Sequence, residues 1–193
     1  MEGRTLTYEQ GLELLKSFPK KPGDDWDRHC ILVGEIAFRL ARALGAYMPI
    51  DAGKVRLMGL VHDFGRSVSH CPYRHSYEGH KLLMKLGEAE LARICTCHSN
   101  GTYKPQDLEE YGLKPEDFYV RTMEEKLIFI SDNLECHGDI VRQEVRLSET
   151  IARYEKRNPE FVPVLKSKLE EFKAFDKEIR DISSRSVYEI LGI

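Results

Sequence analysis

Apolar residues recur mainly at steps of three and four along the chain, which is the spacing of amphipathic helices rather than of strands. We find neither a convincing alternation of apolar and polar residues nor an internal repeat. Thr7 and Asp51 are suited to cap helices, and Gly45 and Gly87 are suited to separate them. The pattern therefore predicts an all-α fold with helices over 8–18, 26–44, 52–62, 75–86, 88–98, 123–137, 139–156, 160–174 and 175–190.

Residues 99–122 interrupt this helical pattern. The segment "SNGTYKPQDLEEYGLKPEDFYVRT" is predicted to be a long loop with one helical turn, and long loops in compact domains are often functional. The last two predicted helices are amphipathic and rich in lysine and glutamate, so we expect them to pack on the outside. No stretch has the composition of a linker, which predicts a single domain over residues 1–193.

The composition limits the classes of function. Of the 193 residues, 41% are hydrophobic and 32% are charged, which is ordinary for a soluble globular protein. The net charge of -3 predicts no broad nucleic-acid-binding surface, although a local basic pocket could hold a phosphate. The sequence has no apolar run as long as a membrane span, no secretory signal and no disulfide framework among its five cysteines. We therefore expect a cytoplasmic protein without a membrane partner, and nothing in the pattern predicts its oligomeric state.

Polar residues that could bind a metal lie on the apolar faces of five predicted helices. His29 precedes Val33 by one turn, and Asp132 follows Ile128 by one turn. The others stand where apolar stripes begin or end, namely His62 with Asp63, His75 and His98. Leaving one buried polar group without a partner costs about 1–3 kcal/mol, and a domain is stable by only about 5–15 kcal/mol. Convergence on a cation would remove this cost, because imidazole nitrogens and carboxylate oxygens would become its ligands.

Each of these residues also has an ordinary explanation when it is taken alone. An inward histidine such as His29 is usually a satisfied core residue, and His75 could simply begin its helix. Asp63 could be solvated beside a helix end at Gly65, and Asp132 could cap a turn. Five such coincidences in one chain are harder to accept than one, which favours a shared metal site.

The histidines and aspartates follow the order of a known signature. The order His29, then His62-Asp63, then Asp132 resembles the H…HD…D signature of the HD-domain superfamily of metal-dependent phosphohydrolases. The stretch "VHDFGR" is similar to that family's "HDIGK" turn, with phenylalanine for an aliphatic residue and arginine for lysine. The resemblance implies a helical bundle with an HD core over about residues 26–137 and C-terminal helices over 139–190 packed on it.

Three further stretches carry the resemblance. "HSYEGHKLL", "ICTCHSNG" and "EEKLIFISDNLE" are similar to the remaining metal-binding segments of two-metal members of the superfamily. Within the superfamily the chain looks most like small, largely uncharacterised archaeal and bacterial proteins, a match that implies no substrate. Similarity to bacterial enzymes that split diadenosine tetraphosphate is also visible around His75 and His98.

The resemblance implies a set of metal ligands. A first metal would be bound by His29, His62, Asp63 and Asp132, and Asp63 would bridge to a second metal held by His75 and His98. Mixed histidine and carboxylate ligands suit manganese, iron, cobalt, nickel or zinc without distinguishing between them. We expect one occupied site, and a second can form at the other two histidines. Cyclic-di-GMP phosphodiesterases of the superfamily carry paired histidines and a "GYP" element, whereas this chain has Cys97 before its single histidine, which disfavours a cyclic dinucleotide substrate.

The implied activity is hydrolysis of a phosphoester or phosphoanhydride bond in a small, nucleotide-like substrate by metal-activated water. Asp63 and Arg66 would be the catalytic residues. The planar guanidinium of Arg66 makes it the first candidate for phosphate contact. Further candidates, each of which could instead be a solvated loop residue, are Lys104, Arg74 and His70. Arg142 and Arg146 lie among glutamates and are expected on a solvated helix face.

Three other hypotheses stay open beside the hydrolase. The first is a sensor that binds a nucleotide without cleaving it. The second is a structural zinc module built on "CTCH", residues 95–98, although its C-x-C spacing departs from the usual C-x-x-C and no second pair lies close by. The third is a nucleophile at Cys97, which is disfavoured because adjacent helix residues such as Cys97 and His98 diverge by about 100°.

Overall fold

Ten α-helices form most of the described chain, which in this computed structural model comprises residues 6–21 and 23–193. In chain order they are α1 Tyr8–Ser17, α2 Trp26–Leu44, α3 Ala52–Val61, α4 Arg74–Lys85, α5 Ala89–Cys97, α6 Leu108–Tyr111, α7 Met123–Asp132, α8 Gln143–Arg157, α9 Val162–Ser183 and α10 Val187–Leu191. The all-α prediction is confirmed. Thr7 and Asp51 accept hydrogen bonds from the backbone at the starts of α1 and α3, as their sequence positions predict.

The helix predicted over 123–137 ends early, because the chain turns into a short hairpin. Strands β1 Glu135–Cys136 and β2 Asp139–Ile140 pair antiparallel, although no strand was predicted from the sequence. Both residues of the connecting turn have positive φ, 54° at His137 and 92° at Gly138, which is the conformation of a tight two-residue hairpin. As a result α7 stops at Asp132, and α8 begins at Gln143 rather than at residue 139.

The break predicted between residues 174 and 175 is also wrong. Helix α9 continues through it, because Phe172 and Ile179 form one buried stripe across that point. The helix ends instead at Ser183, and the next residue, Ser184, caps it in a left-handed conformation before α10. Both α9 and α10 contribute side chains to the main hydrophobic core, which extends from Leu15 to Leu191.

Close backbone contact holds α2 against α3 at the centre of the molecule. A Cβ atom on Gly59 would lie 2.7 Å from the Cα of Gly34, so only glycines allow the two helices to approach this closely. Helix α2 also buries Val33, Ile36 and Leu40 in the main core. This crossing brings the beginning of α2 near the end of α3.

A second close contact fixes the chain after α3. Residues Phe64–Ser67 form a turn of 3₁₀-helix, and a Cβ atom on Gly65 would lie 1.8 Å from the carbonyl oxygen of His75. Glycine is therefore needed at residue 65 because the backbone there contacts α4. Gly65 does not end a helix in the left-handed conformation. The turn and the start of α4 are held together as a result.

The segment 99–122 packs on α4 rather than remaining an open loop. It contains two 3₁₀ turns, Pro105–Asp107 and Pro115–Phe118, on either side of α6. Its apolar residues form a small second cluster with Tyr77 of α4. None of the helices in the described residues is both long enough and apolar enough to cross a membrane.

Candidate metal centre

The ends of several helices bring six histidine and aspartate residues together. They are His29 in the first turn of α2, His62 and Asp63 after α3, His75 at the start of α4, His98 after α5 and Asp132 at the end of α7. His62, Asp63, His75 and His98 are buried, and the other two are partly buried. The structure therefore brings together all six side chains for which the sequence predicted a metal-binding role.

The first group of potential ligands lies around His29. Its Nε2 atom is 3.1 Å from Oδ1 of Asp132 and 3.3 Å from Nε2 of His62. Oδ2 of Asp63 is 3.7 Å from Nε2 of both His29 and His62. These separations are those of atoms that surround one common centre.

The second group lies on the other side of the same aspartate. Oδ1 of Asp63 is 3.1 Å from Nε2 of His75 and 3.7 Å from Nε2 of His98, and these two nitrogens are 3.5 Å apart. This oxygen is buried and has no hydrogen bond of acceptable geometry. Asp63 thus presents one carboxylate oxygen to each group, and one of the two is a buried acceptor without a donor.

The orientation of the imidazole rings explains why no donor is present. Nδ1 of His62 faces the carbonyl of Gly59 at 2.6 Å, and the Nδ1 atoms of His75 and His98 face backbone carbonyls in the same way. Since a carbonyl only accepts, each Nδ1 carries the proton and donates it outward. In the neutral rings Nε2 is left with a lone pair directed at the centre, which is the arrangement of metal-binding histidines.

Electrostatics favours positive charge at the centre. Burial lowers the pKa of His29, but the carboxylates of Asp132 and Glu135 outweigh it and raise that pKa to about 9. They favour a positive charge there, either a proton on Nε2 or a cation in its place. Burial and the neighbouring His62 lower the pKa of His98 to about 3, so this ring is neutral and able to coordinate.

Helix dipoles act in the same direction. His62 and His98 are the C-terminal caps of α3 and α5, and Asp132 is the last residue of α7. A helix C-terminus carries partial negative charge, so three helix ends add to the two carboxylates in attracting a cation. The nitrogen and oxygen donors, the orphaned Asp63 oxygen and these dipoles together fit a divalent transition metal.

Glu135 is a functional candidate that the sequence reasoning missed. It lies in strand β1, is buried, and accepts the Nδ1 proton of His29 at 2.5 Å. Its other carboxylate oxygen accepts from the backbone of Gly138 in the hairpin turn. A carboxylate that orients a ligating imidazole strengthens that ligand. The signal in the sequence was an acidic residue directly after an apolar helix.

Two cavities open next to the centre. The smaller one, about 100 Å³, is lined by Asp132, His75 and His98. The larger one, about 470 Å³, reaches His29 and Glu135. Arg66 lines both cavities, and its Nε atom donates a hydrogen bond to Oδ2 of Asp63.

The other predicted substrate contacts are placed differently. His70 lines the larger cavity, where its Nε2 is 3.7 Å from Oδ2 of Asp24. Arg74 is exposed and pairs with Glu78, and Nζ of Lys104 lies over the ring of Tyr73. Neither cavity is lined by Arg74 or by residues 100–122, all of which the structure describes. The placement of Arg74 and Lys104 thus gives no support for substrate contact.

Helix α8 contributes residues that the sequence reasoning did not assign to the site. Arg146 lines both cavities, so its expected place on a solvated face is wrong. Arg153, Tyr154 and Arg157 follow along the same helix and line the larger cavity. Arg142 lies elsewhere, with its guanidinium 3.9 Å from the ring centre of Tyr188.

The cysteines of the "CTCH" stretch lie apart from the centre. Cys95 and Cys97 are buried, and neither belongs to a cluster of potential metal ligands among the described residues. Burial raises the pKa of both thiols, which makes them poor ligands and poor nucleophiles. The geometry therefore gives no support to a structural zinc module or a cysteine nucleophile.

Comparison with known proteins gives three findings. A family model described as the HD domain matches residues 26–137. An uncharacterised protein of Methanocaldococcus jannaschii is 33% identical over 154 residues, which cover 79% of this chain and 86% of that protein. A tRNA (cytidine(56)-2'-O)-methyltransferase of Picrophilus torridus is 27% identical over 161 residues, which cover 81% of this chain but only 44% of the longer enzyme. Among solved structures none matches the chain significantly.

Proposed function

The chain belongs to the HD-domain family, and from this membership we propose that it hydrolyses a phosphoester or phosphoanhydride bond of a nucleotide-like substrate. The observation that carries the proposal is the convergence of four imidazole Nε2 atoms and two carboxylates beside a cavity. Metal-dependent phosphohydrolysis is the chemistry associated with the family. We also propose that the residues lining the two cavities bind this substrate and that its organic group is a nucleoside or a similar group.

The residues of the centre form two groups, each of which could bind one divalent cation. His29, His62, Asp63 and Asp132 would hold a first divalent ion, and Asp63 with His75 and His98 would hold a second. When bound, such an ion lowers the pKa of a coordinated water toward about 7 and neutralises negative charge on a phosphoryl oxygen. Asp63 can serve both groups because its two carboxylate oxygens face opposite sides.

Other side chains would position the substrate and the ligands. Glu135 holds the His29 ring with its Nε2 toward the centre. Arg66 and Arg146 both reach the small cavity beside Asp132, where guanidinium groups can bind phosphoryl oxygens in pairs of hydrogen bonds. Arg66 keeps its orientation through Asp63, which lies one turn before it. Burial raises the pKa of Asp63, but the guanidinium of Arg66 and the neighbouring His62 and His75 together outweigh this effect and hold the pKa well below its usual range.

The test is elemental analysis of gently purified protein, followed by a phosphate-release screen with the metal added back. We expect a divalent transition metal in the wild-type protein and phosphate release from at least one nucleotide. Asp63→Asn keeps the shape of the side chain but removes its charge, and it should abolish both. Asp139→Asn, an exposed change in strand β2, is the matched control and should leave both unchanged.

A sensor that binds without turnover is the second candidate, because the same geometry would bind a phosphorylated ligand. It would be favoured if the metal-loaded protein bound a nucleotide and released no phosphate from any compound of the screen. Metal that stays bound in Asp63→Asn but is lost in Cys95→Ala or Cys97→Ala would instead contradict both candidates and favour a structural zinc module.

A further inference from the structure

One face of helix α8 carries three arginines that point into the larger cavity. Arg146, Arg153 and Arg157 are separated by seven and four residues, so at about 100° per residue they lie within about 40° of one another around the helix axis. All three line the larger cavity together with Arg66. We call these four residues the arginine face.

The three helix arginines are not held by direct polar contacts within the described part of the protein, although the charge of Arg146 helps to lower the pKa of Glu135. None of them forms an ion pair or a side-chain hydrogen bond with another described residue, whereas Arg180 on α9 is paired with Asp176. Partial desolvation at the cavity wall and the neighbouring guanidinium of Arg146 lower the pKa of Arg153, as expected where like charges lie near one another. Such a group of cations is stabilised by a bound anion.

Acidic residues also face this cavity but do not cancel the arginine face. Glu135 is engaged by His29 and by the backbone of Gly138. Asp24 accepts from the backbone of Lys21 and lies beside His70, and Asp25 is at the start of α2. These carboxylates would repel phosphate but can accept hydrogen bonds from sugar hydroxyls or base amino groups. The cavity is therefore basic along α8 and acidic on the side of residues 24–25.

The two cavities adjoin each other at the arginine face. Arg66, Arg146 and Tyr154 line both of them. The small cavity, about 100 Å³, has about a fifth of the volume of the larger one and lies directly beside the potential metal ligands Asp132, His75 and His98. The larger cavity of about 470 Å³ is in the range of small-molecule sites. A substrate with its terminal phosphoryl group in the small cavity and its remainder in the larger one would extend past these arginines.

We propose that the arginine face is a subsite for a chain of phosphate groups, so that the substrate is an organic di- or triphosphate cleaved at its terminal phosphoanhydride bond. This inference rests on the proposed hydrolase function. A monophosphate would occupy Arg66 and Arg146 and place a neutral nucleoside against Arg153 and Arg157, whereas a second and third phosphate would meet these two with paired hydrogen bonds.

The reaction follows from this placement. The oxygen of water bonds to the terminal phosphorus while the bond from that phosphorus to the bridging oxygen breaks. The electron pair of the broken bond stays on the bridging oxygen, which leaves with the shortened substrate. A proton of the water passes to the solvent. The products are orthophosphate and the substrate shortened by one phosphate. Arg153 and Arg157 would bind the remaining phosphates equally before and after this bond breaks, so they contribute to substrate affinity.

The test measures binding separately from turnover, by calorimetry on the metal-loaded full chain at constant free metal. The probes are methylphosphonate and the bis-methylene analogue of tripolyphosphate, whose P–C–P bridges cannot be hydrolysed. We expect the wild-type protein to bind the longer probe at least about tenfold more tightly. Arg153→Ala combined with Arg157→Ala should weaken the longer probe about tenfold and leave methylphosphonate within about twofold. Lys156→Ala removes a cation from the same helix outside the cavities, and it should change neither affinity.

Equal affinity for the two probes, or an equal loss in the Lys156→Ala control, would overturn the inference. Release of phosphate from monoesters only, at full rate in the arginine double variant, would also overturn it while the proposed function stands. Arginine-dependent binding of the longer probe with no hydrolysis of any compound would support the subsite and contradict the proposed function.

Discussion

The metal centre and the arginine face border the same cavities but are built in opposite ways. In the centre each imidazole donates its Nδ1 proton to a carbonyl or to Glu135, so the rings are fixed before any ligand arrives. On α8 the three guanidinium groups form no ion pair or side-chain hydrogen bond with the described residues, and two of them are exposed. The difference fits the proposed division between a rigid metal centre for hydrolysis and an adjustable surface for substrate binding.

The largest contrast is expected between Asp132→Asn in the centre and Arg157→Ala on the arginine face. Asp132→Asn removes a ligand charge and should lower kcat by about a hundredfold to a thousandfold, because the centre stabilises charge in the transition state. Arg157→Ala should raise KM about tenfold and leave kcat within about twofold. Steady-state kinetics on the substrate found in the screen measures both. The contrast breaks down if the two variants change the same parameter by similar factors.

Gly65→Ala tests how rigidly the backbone beside the centre is packed. The added methyl group would meet the His75 carbonyl oxygen, so the turn after Asp63 and the start of α4 must separate. We expect a loss of about 3 kcal/mol in the free energy of unfolding, which is a fall in Tm of about 6–12 °C for a chain of this size. Gly45→Ala is the control, since its Cβ would lie at ordinary contact distances of 3.5 Å or more and its φ is negative. Equal thermal stability of both variants would contradict the close contact.

A smaller effect is expected from Glu135→Gln. Without the charge that accepts the His29 proton, the affinity for metal should fall about 10–100-fold, as is usual when the partner of a ligating histidine is changed. Metal titration with a competing chelator measures this directly. Glu149→Gln, an exposed change on α8, should bind metal like the wild-type protein. Unchanged affinity in Glu135→Gln would show that the hydrogen bond does not tune the centre.

The smallest effects are expected outside both cavities. Arg74→Ala and Lys104→Ala should change kcat/KM by less than about twofold, because Arg74 is exposed and Lys104 contacts Tyr73. An effect as large as that of Arg157→Ala would place a substrate-binding surface on the α4 side and weaken the assignment to α8. The same kinetic assay gives the answer.

The potential metal ligands could be predicted from the sequence because each lies in or next to a helix whose apolar face is clear from its residue spacing. His29 and Asp132 keep the step of one turn from buried residues, so their inward direction follows from periodicity alone. The helices up to α5 were predicted within about one residue at each end for the same reason. Convergence was inferred from the cost of burying polar groups, and the coordinates bring these groups together.

The remaining parts depended on tertiary contacts that local patterns do not contain. Arg146 lies among glutamates in sequence, and only the packing of α8 against α9 decides that its arginine-bearing side faces the cavities. Glu135 was overlooked because α7 was extended through the hairpin, whose turn rests on positive φ at His137 and Gly138. The continuity of α9 depended on burial of Phe172 and Ile179 in a core formed by distant helices.

The central claim is that imidazoles and carboxylates from separate helices share a bound cation. Anomalous X-ray scattering, recorded at the absorption edge of the metal found by elemental analysis, tests this most directly in crystals of the purified protein. We expect an anomalous peak between Nε2 of His29, Nε2 of His62 and the carboxylates of Asp63 and Asp132. Metal that binds elsewhere on the chain, or none between these side chains in crystals grown with the metal in excess, would contradict it.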